Sequence, residues 1–376
     1  AVPVEIRSDD PETRPYFKNI SNAVTGMDLS PAAERALLVA RGEVFTVPAK
    51  EGPIRDLTGT PGAREKDAVW SPDGARIAWF SDADGEWNLY LADPLAKTPP
   101  AKLTAFKDGY RHGLAWSPDG KKIAFADQLL TLYFIDVETK QITTVDKADY
   151  EPMDIGLDEK PIADFAWSPD SAFLAYSKMG KDLTSQLFVY SLDTRQAKPV
   201  TDGFFNDFGP VFSADGARLF FISNRRFDPT YCDMEFELVY KKVAGLYSLA
   251  LRKDAAPLLP LRSDEAAVKS ADAPAKAEGE TKAAAPRTGV EFDGIFARVE
   301  ALPLPRGNYR NLSATGKALY FLNADEGDFN RFDLRERGTA SLYAFDFAGR
   351  KQRTVVEEVA AYRLCRDGSR LIYARD

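Results

Sequence analysis

Seven related turn phrases, an alternating apolar run after each, and a spacing near one blade length predict an all-β fold. That fold is a seven-bladed β-propeller of four-stranded antiparallel blades, with the last blade incomplete in this chain. Three copies of the phrase are clear: Trp70-Ser71-Pro72-Asp73-Gly74, Trp116-Ser117-Pro118-Asp119-Gly120 and Trp167-Ser168-Pro169-Asp170-Ser171. Pro presets φ at the second turn position, Asp tolerates the third, and Gly takes the left-handed conformation that reverses the chain. The runs that follow, such as Ile77-Ala78-Trp79-Phe80 and Phe173-Leu174-Ala175-Tyr176, alternate as half-buried strands do, so each phrase reads as a β-hairpin. A lone hairpin is marginal in water, and a chain that repeats one stacks sheets.

Weaker copies extend the series at Leu29-Ser30-Pro31, Phe212-Ser213-Ala214-Asp215-Gly216, Leu312-Ser313-Ala314-Thr315-Gly316 and Leu364-Cys365-Arg366-Asp367-Gly368. Successive anchors lie 41 to 52 residues apart except for one gap of 100, between positions 212 and 312. Four-stranded blades take about 40 to 50 residues, so the long gap is one blade plus an insertion.

The expected order is a strand or linker over 1–19, then blades near 20–60, 61–106, 107–150, 158–203, 204–304 and 305–358, and a partial blade over 359–376. Blade two shows the pattern most fully: an inner strand ends at Ala68-Val69-Trp70, and strands follow over 76–80, 87–92 and 101–104. Within the long gap, 224–240 is aromatic and charged and reads as an ordered excursion, whereas 263–288 is rich in Ala, Lys, Glu and Asp with no aromatic residue. The latter cannot bury enough apolar area to offset its ordering entropy and is expected to be a disordered loop. After the seventh anchor only 370–375 remains as strand; Val2–Arg7 could supply one missing strand but not both. Because a propeller protects its edges by closing, the chain reads as a piece of a longer polypeptide.

The formal net charge of −8 and pI near 5.1 argue against nucleic acid or anionic membrane as a primary partner. No run approaches the roughly 18 to 20 apolar residues of a membrane span, and the start lacks the basic and apolar regions of a signal peptide. The two cysteines, Cys232 and Cys365, lie far apart without Cys-x-x-Cys spacing; they read as small semi-buried residues rather than a disulfide framework or metal site. No cofactor is expected.

A single histidine, His112, limits the chemistry: any Ser-His-Asp triad must use it, and zinc sites built on two histidines are excluded. It reads either as a ligand-binding residue at a channel mouth or as a solvated loop residue. No nucleophile elbow, phosphate-cradling loop or His-Glu-x-x-His occurs. The candidate binding groups lead into the inner strands: Lys66, Arg111, His112, Asp164, Asn206, Asp207, Tyr309 and Arg310. Arg225 and Arg226 are adjacent cations that could hold a carboxylate such as a peptide C-terminus, or more simply pair with Glu235 or Glu237. A carboxylate pair of glycosidase type could hide among residues such as Asp164 and Asp207. The turn carboxylates Asp73, Asp119, Asp170 and Asp215 and the anchoring tryptophans read as structural.

The hairpin phrases resemble the repeat shared by TolB-type propellers and by peptidase propellers. Longer phrases are more specific: Ala40-Arg41-Gly42-Glu43-Val44-Phe45-Thr46-Val47-Pro48-Ala49-Lys50-Glu51-Gly52 with Arg55-Asp56-Leu57-Thr58, Arg7-Ser8-Asp9-Asp10-Pro11, Phe292-Asp293-Gly294-Ile295, and 301–309. These resemble the tricorn protease family across essentially the whole chain, in its second, seven-bladed propeller. The resemblance implies a large, assembling serine peptidase that cuts oligopeptides, whose catalytic, helical and PDZ segments follow the propellers. It places no catalytic residue in this chain. It implies peptides or unfolded polypeptide, the rest of the parent chain and further copies of the parent as partners, and a cytoplasmic location with the periplasm as runner-up. A stand-alone TolB-like module that binds a protein partner is the alternative reading.

Overall fold

At each hairpin tip a side-chain hydroxyl replaces a main-chain acceptor. Ser71 Oγ accepts from the Arg76 amide at 2.9 Å and donates to Asp73 Oδ1 at 2.5 Å, and the same carboxylate oxygen accepts from the Ala75 amide at 3.0 Å. Ser117, Ser168 and Ser213 repeat the amide-to-hydroxyl bond at 2.9 Å with Lys122, Phe173 and Arg218. In the seventh copy the Cys365 thiol does this work, accepting from the Arg370 amide at 3.2 Å. The reversal falls on the expected residue: φ is +72° at Gly74, +70° at Gly120 and +69° at Gly216, and Ser171 bears the same conformation at +62°.

The computed structural model describes residues 19–149, 164–231, 237–262, 287–325 and 339–375. Blade one is β1 (Val24–Leu29), β2 (Arg35–Ala40), β3 (Glu43–Pro48) and β4 (Arg55–Asp56). Blade two is β5 (Glu65–Trp70), β6 (Ile77–Ser81), β7 (Asn88–Ala92) and β8 (Ala101–Lys102). Blade three is β9 (Arg111–Trp116), β10 (Lys122–Asp127), β11 (Thr131–Asp136) and β12 (Ile142–Lys147). Blade four is β13 (Phe165–Trp167), β14 (Phe173–Met179), β15 (Ser185–Ser191) and β16 (Gln196–Pro199).

Blade five is interrupted. Between β18 (Arg218–Ser223) and β21 (Gly245–Ala250) stands a short hairpin, β19 (Thr230–Tyr231) and β20 (Leu238–Val239); the blade also takes β17 (Asp207–Phe212) and β22 (Val299–Ala301). Blade six is β23 (Asn308–Ala314), β24 (Ala318–Ala324), β25 (Ala340–Asp346) and β26 (Lys351–Val356). Last come β27 (Ala361–Leu364) and β28 (Leu371–Ala374), paired with each other alone.

The propeller therefore has six four-stranded antiparallel blades among the described residues, not seven. The seventh repeat contributes only its two-stranded hairpin. That hairpin stands between blades six and one: Tyr362 Oη donates to the Asn311 carbonyl at 2.7 Å, and Arg370 reaches the Ala33 carbonyl at 3.5 Å. The expected closing strand Val2–Arg7 lies outside the described residues.

Apolar packing is concentrated between blades. Trp70 joins Leu37 and Val39 of blade one, Trp116 joins Phe80 and Leu91 of blade two, and Trp167 joins Phe134 and Leu132 of blade three. The tryptophans are core residues, as expected. The second strands depart from the half-buried expectation: every residue of β6 and of β18 is buried, because a neighbouring blade covers each face of the sheet. Of the segment 263–288, expected to be a disordered loop, only the last two residues are described. Thr288 is buried and its amide donates to Asp170 Oδ2 at 2.7 Å, while 263–286 lies outside the described residues.

Ser168→Ala removes the acceptor for the Phe173 amide at a fully buried side chain and should cost about 1–3 kcal/mol. Ser168→Cys should recover part of this, since Cys365 already fills the role. Urea unfolding should show a lowered midpoint with unchanged slope; an unshifted midpoint for Ser168→Ala contradicts the assignment.

Candidate functional site

The inner strands share one recurrent position, four residues before the turn Ser or its equivalent. The residues there run Gly26, Asp67, Gly113, Asp164, Gly209, Asn311 and Ala361 through the seven repeats. Pairing with the second strand is irregular at this point in blades one, two, three, five and six. Asp67, Gly113, Gly209 and Asn311 have φ of +53°, +65°, +63° and +51°, the geometry of a bulge that turns on a left-handed residue.

Carboxylates at this level join one blade to the next. Asp67 Oδ2 accepts from the Gly113 amide at 3.1 Å, and Asp164 Oδ2 accepts from the Gly209 amide at 2.5 Å. Asp28 Oδ2, two residues nearer the turn, accepts from the Trp70 amide at 2.8 Å. Asp164 also takes the Ser177 hydroxyl. Burial raises the Asp164 and Asp28 carboxyls above the usual range, opposed by these hydrogen bonds.

The sequence-chosen candidates fall into separate local clusters. In blades two and three, Lys66 Nζ lies 3.0 Å from the Tyr110 ring centre and 4.3 Å from that of Trp87, and donates to the Arg111 carbonyl at 2.5 Å. Arg111 stacks on Phe106 at 3.7 Å and donates to the Gly109 carbonyl at 2.8 Å. His112 is only 4% exposed, within β9 and stacked near Tyr110, which corrects the solvated-loop reading.

In blade five, Arg225 grips Asp207 through both carboxylate oxygens at 2.8 and 2.9 Å and stacks between Phe205 and Tyr247. The partner is thus Asp207 rather than Glu237, and Glu235 lies outside the described residues. Asp207 is fully buried, and burial raises its carboxyl despite the hydrogen bonds from Ser223 and Arg225. Arg226 packs over Tyr247 at 5.8 Å, and Asn206 Oδ1 accepts from the Ser185 amide at 2.6 Å. In blade six, Tyr309 is buried, its hydroxyl donates to the Pro305 carbonyl at 2.5 Å, and burial pushes its pKa up to about 12. Arg310 follows on β23, half-buried.

Asp164 and Asp207 each sit in a closed set of partners in this way. Neither is placed as the solvent-reaching acid or base of a glycosidase pair. Among the described residues no group of three or more His, Cys, Asp or Glu is arranged to hold a metal ion. Sequence reasoning missed the Lys66 cage and the Asp28 bridge. Neither had a local signal: Lys66, Trp87 and Tyr110 are each more than twenty residues apart, and the partner of Asp28 is a backbone amide in another blade.

Two substitutions test the bridges. For a carboxyl raised by burial, the folded state holds its proton to higher pH than the unfolded state, so stability falls as pH rises above the ordinary carboxylate pKa of about 3.9. Asp164→Asn should therefore flatten the fall in stability between about pH 4 and neutrality, read from melting temperature against pH; a parallel curve refutes the assignment. Gly113→Ala forces a side chain into φ +65°, with its Cβ 3.2 Å from the Phe165 ring, and should cost more than about 1 kcal/mol in the same assay.

Comparison with known proteins agrees with this architecture. The chain is 27% identical over 296 residues to "Tricorn protease homolog 1" of Streptomyces coelicolor, covering 77% of this chain and 26% of that protein. It is 25% identical over 251 residues to "Tricorn protease" of Thermoplasma volcanium, covering 65% and 22%. It therefore spans about a quarter of the length of these relatives. The crystal structure of the tricorn protease superimposes with a TM-score of 0.75 at 17% identity, over 95% of this chain and 32% of that one. The profile of the tricorn protease second beta propeller domain matches residues 24–376, and the chain belongs to that family.

Proposed function

We propose that this propeller is the non-catalytic segment of a tricorn-like serine peptidase that degrades oligopeptides, and that it guides or gates peptides on their way to the catalytic chamber. The observation that carries the reading is the family match over 24–376 in a chain that spans about a quarter of its relatives. The proposed parent contributes the catalytic and PDZ segments and the strands that complete blade seven beside β28, and it works as a homo-oligomer in the cytoplasm. Among the described residues, no helix is long and apolar enough to cross a membrane.

The proposed passage is the central channel about which propeller blades are arranged. Arg363 stands exposed on β27, and Asn311 is exposed on β23, so polar groups line the innermost strands beside the buried interblade bridges. In this reading the passage takes extended chains and excludes folded ones. Arg225 and Arg226, offered by the sequence as an anchor for a peptide C-terminus, are a weaker choice because Arg225 is already committed to Asp207.

The pure chain should hydrolyse no peptide; robust turnover abolished by changing His112 would sink the proposal. Reading the coding region past Asp376 supplies the parent. In that protein Arg363→Trp should narrow the passage and slow cleavage of long peptides about tenfold, roughly 1.4 kcal/mol of barrier, while sparing very short ones. Equal rates for both lengths argue against gating, and a stop codon soon after Asp376 points to a binding module instead.

A further inference from the structure

The hairpin turns of successive blades pack against one another on one face of the propeller. Pro31 of blade one lies against Gly74 of blade two, and Pro72 lies against Gly120 of blade three. The Asp119 amide donates to Ser171 Oγ at 3.1 Å between blades three and four. Between blades four and five the gap is filled by a returning segment: Thr288 packs on Gly216, and its amide donates to Asp170 Oδ2 at 2.7 Å.

The junction between blades five and six differs. The blade six turn is shorter, closing from the Thr315 amide to the Ala318 carbonyl, where its counterpart closes from Ser71 to Arg76. The shorter turn leaves a cavity of about 530 Å³. Its floor is the stacked pair Phe220 and Phe347, with ring centres 5.5 Å apart, and Pro257 and Leu258 form a wall. Asp215 stands at the exposed rim, occupying the place in its turn that Asp170 holds in the turn before.

Chemistry selects the occupant. Asp215 Oδ1 is used within its own turn, accepting from Ser213 Oγ at 2.5 Å and the Ala217 amide at 3.1 Å. Its Oδ2 has no partner among the described residues, whereas Asp170 Oδ2 holds a main-chain amide. The other charged group of the cavity, Arg218, is spent: it binds Ser248 Oγ at 3.0 Å, Glu300 at 3.3 Å and the Ala256 carbonyl. The site thus offers a carboxylate acceptor beside an apolar floor and no unspent cation, which favours an N–H donor over an anion.

We infer that this cavity binds a peptide, with a main-chain N–H on Asp215 Oδ2, as Thr288 binds Asp170, and a bulky apolar side chain on the Phe220–Phe347 floor. Only the ligand class rests on the peptide-handling reading above. The two tests are separate: this one reads direct binding to the 376-residue chain, the other reads hydrolysis by the parent, and failure of either leaves the other result standing.

The probe is dye-labelled Gly-Ser-Gly-Leu-Gly-Ser-Gly, titrated by fluorescence anisotropy against the same peptide with Ala in place of Leu. The Leu peptide should bind saturably and more tightly. Asp215→Asn should weaken it about tenfold, the effect of losing a charged hydrogen-bond acceptor. Ala214→Trp, which covers the mouth and leaves the turn hydrogen bonds in place, should abolish binding even if Asp215→Asn unfolds the turn. Equal affinity for the two peptides, or Leu-peptide binding that survives Ala214→Trp, overturns the inference.

Discussion

A hairpin that must turn within a few residues leaves a strand amide without a main-chain acceptor, and in this protein a buried serine hydroxyl supplies one. Ser168 is fully buried, accepts from the Phe173 amide at 2.9 Å and donates its own hydrogen bond to Asp170 at 2.7 Å. The carboxylate is thereby held within hydrogen-bond range, and at Asp73 the Ser71 hydroxyl keeps the carboxyl below its usual range. Because this device is local, it can be copied along the chain without reference to what surrounds it. The propeller follows from the copying: each turn fixes an inner strand, and each inner strand must bury its far side against the next blade.

The blades are then tied to one another by bonds that no local rule contains. Asp28, Asp67 and Asp164 each reach a main-chain amide of the following blade. Burying a carboxylate is costly unless its oxygens are satisfied, so these groups report how tightly the inner strands are packed. The same economy disposes of the candidates chosen for their chemistry. Asp207 and Arg225 neutralise one another, and Lys66 is enclosed by Tyr110 and Trp87.

Irregularity in the repeat is where new surface arises. Blade five accommodates the β19–β20 hairpin, Thr288 binds beside it at the junction with blade four, and its junction with blade six holds a cavity beside the short blade six turn. Phe204, Phe227 and Tyr240 are exposed near the first of these, at 81%, 62% and 52%. In a fold built from near-identical sheets, departures of this kind distinguish one blade from another, and ligand selection depends on such differences.

By itself the sequence determined an all-β propeller of four-stranded antiparallel blades and the place of most of its turns, because these rest on short-range chemistry: Ser-x-Asp-Gly spacing, a left-handed residue and period-two alternation. It put the number of blades at seven, whereas six four-stranded blades stand among the described residues. Tertiary structure alone decided that the second strands of blades two and five are buried throughout, that His112 is a strand residue and not a loop residue, and that Arg225 pairs with Asp207. It also decided that Thr288 is ordered in spite of the composition around it. In each case the deciding partner comes from another strand or blade, and a contact across the ring leaves no mark in the local pattern of either segment.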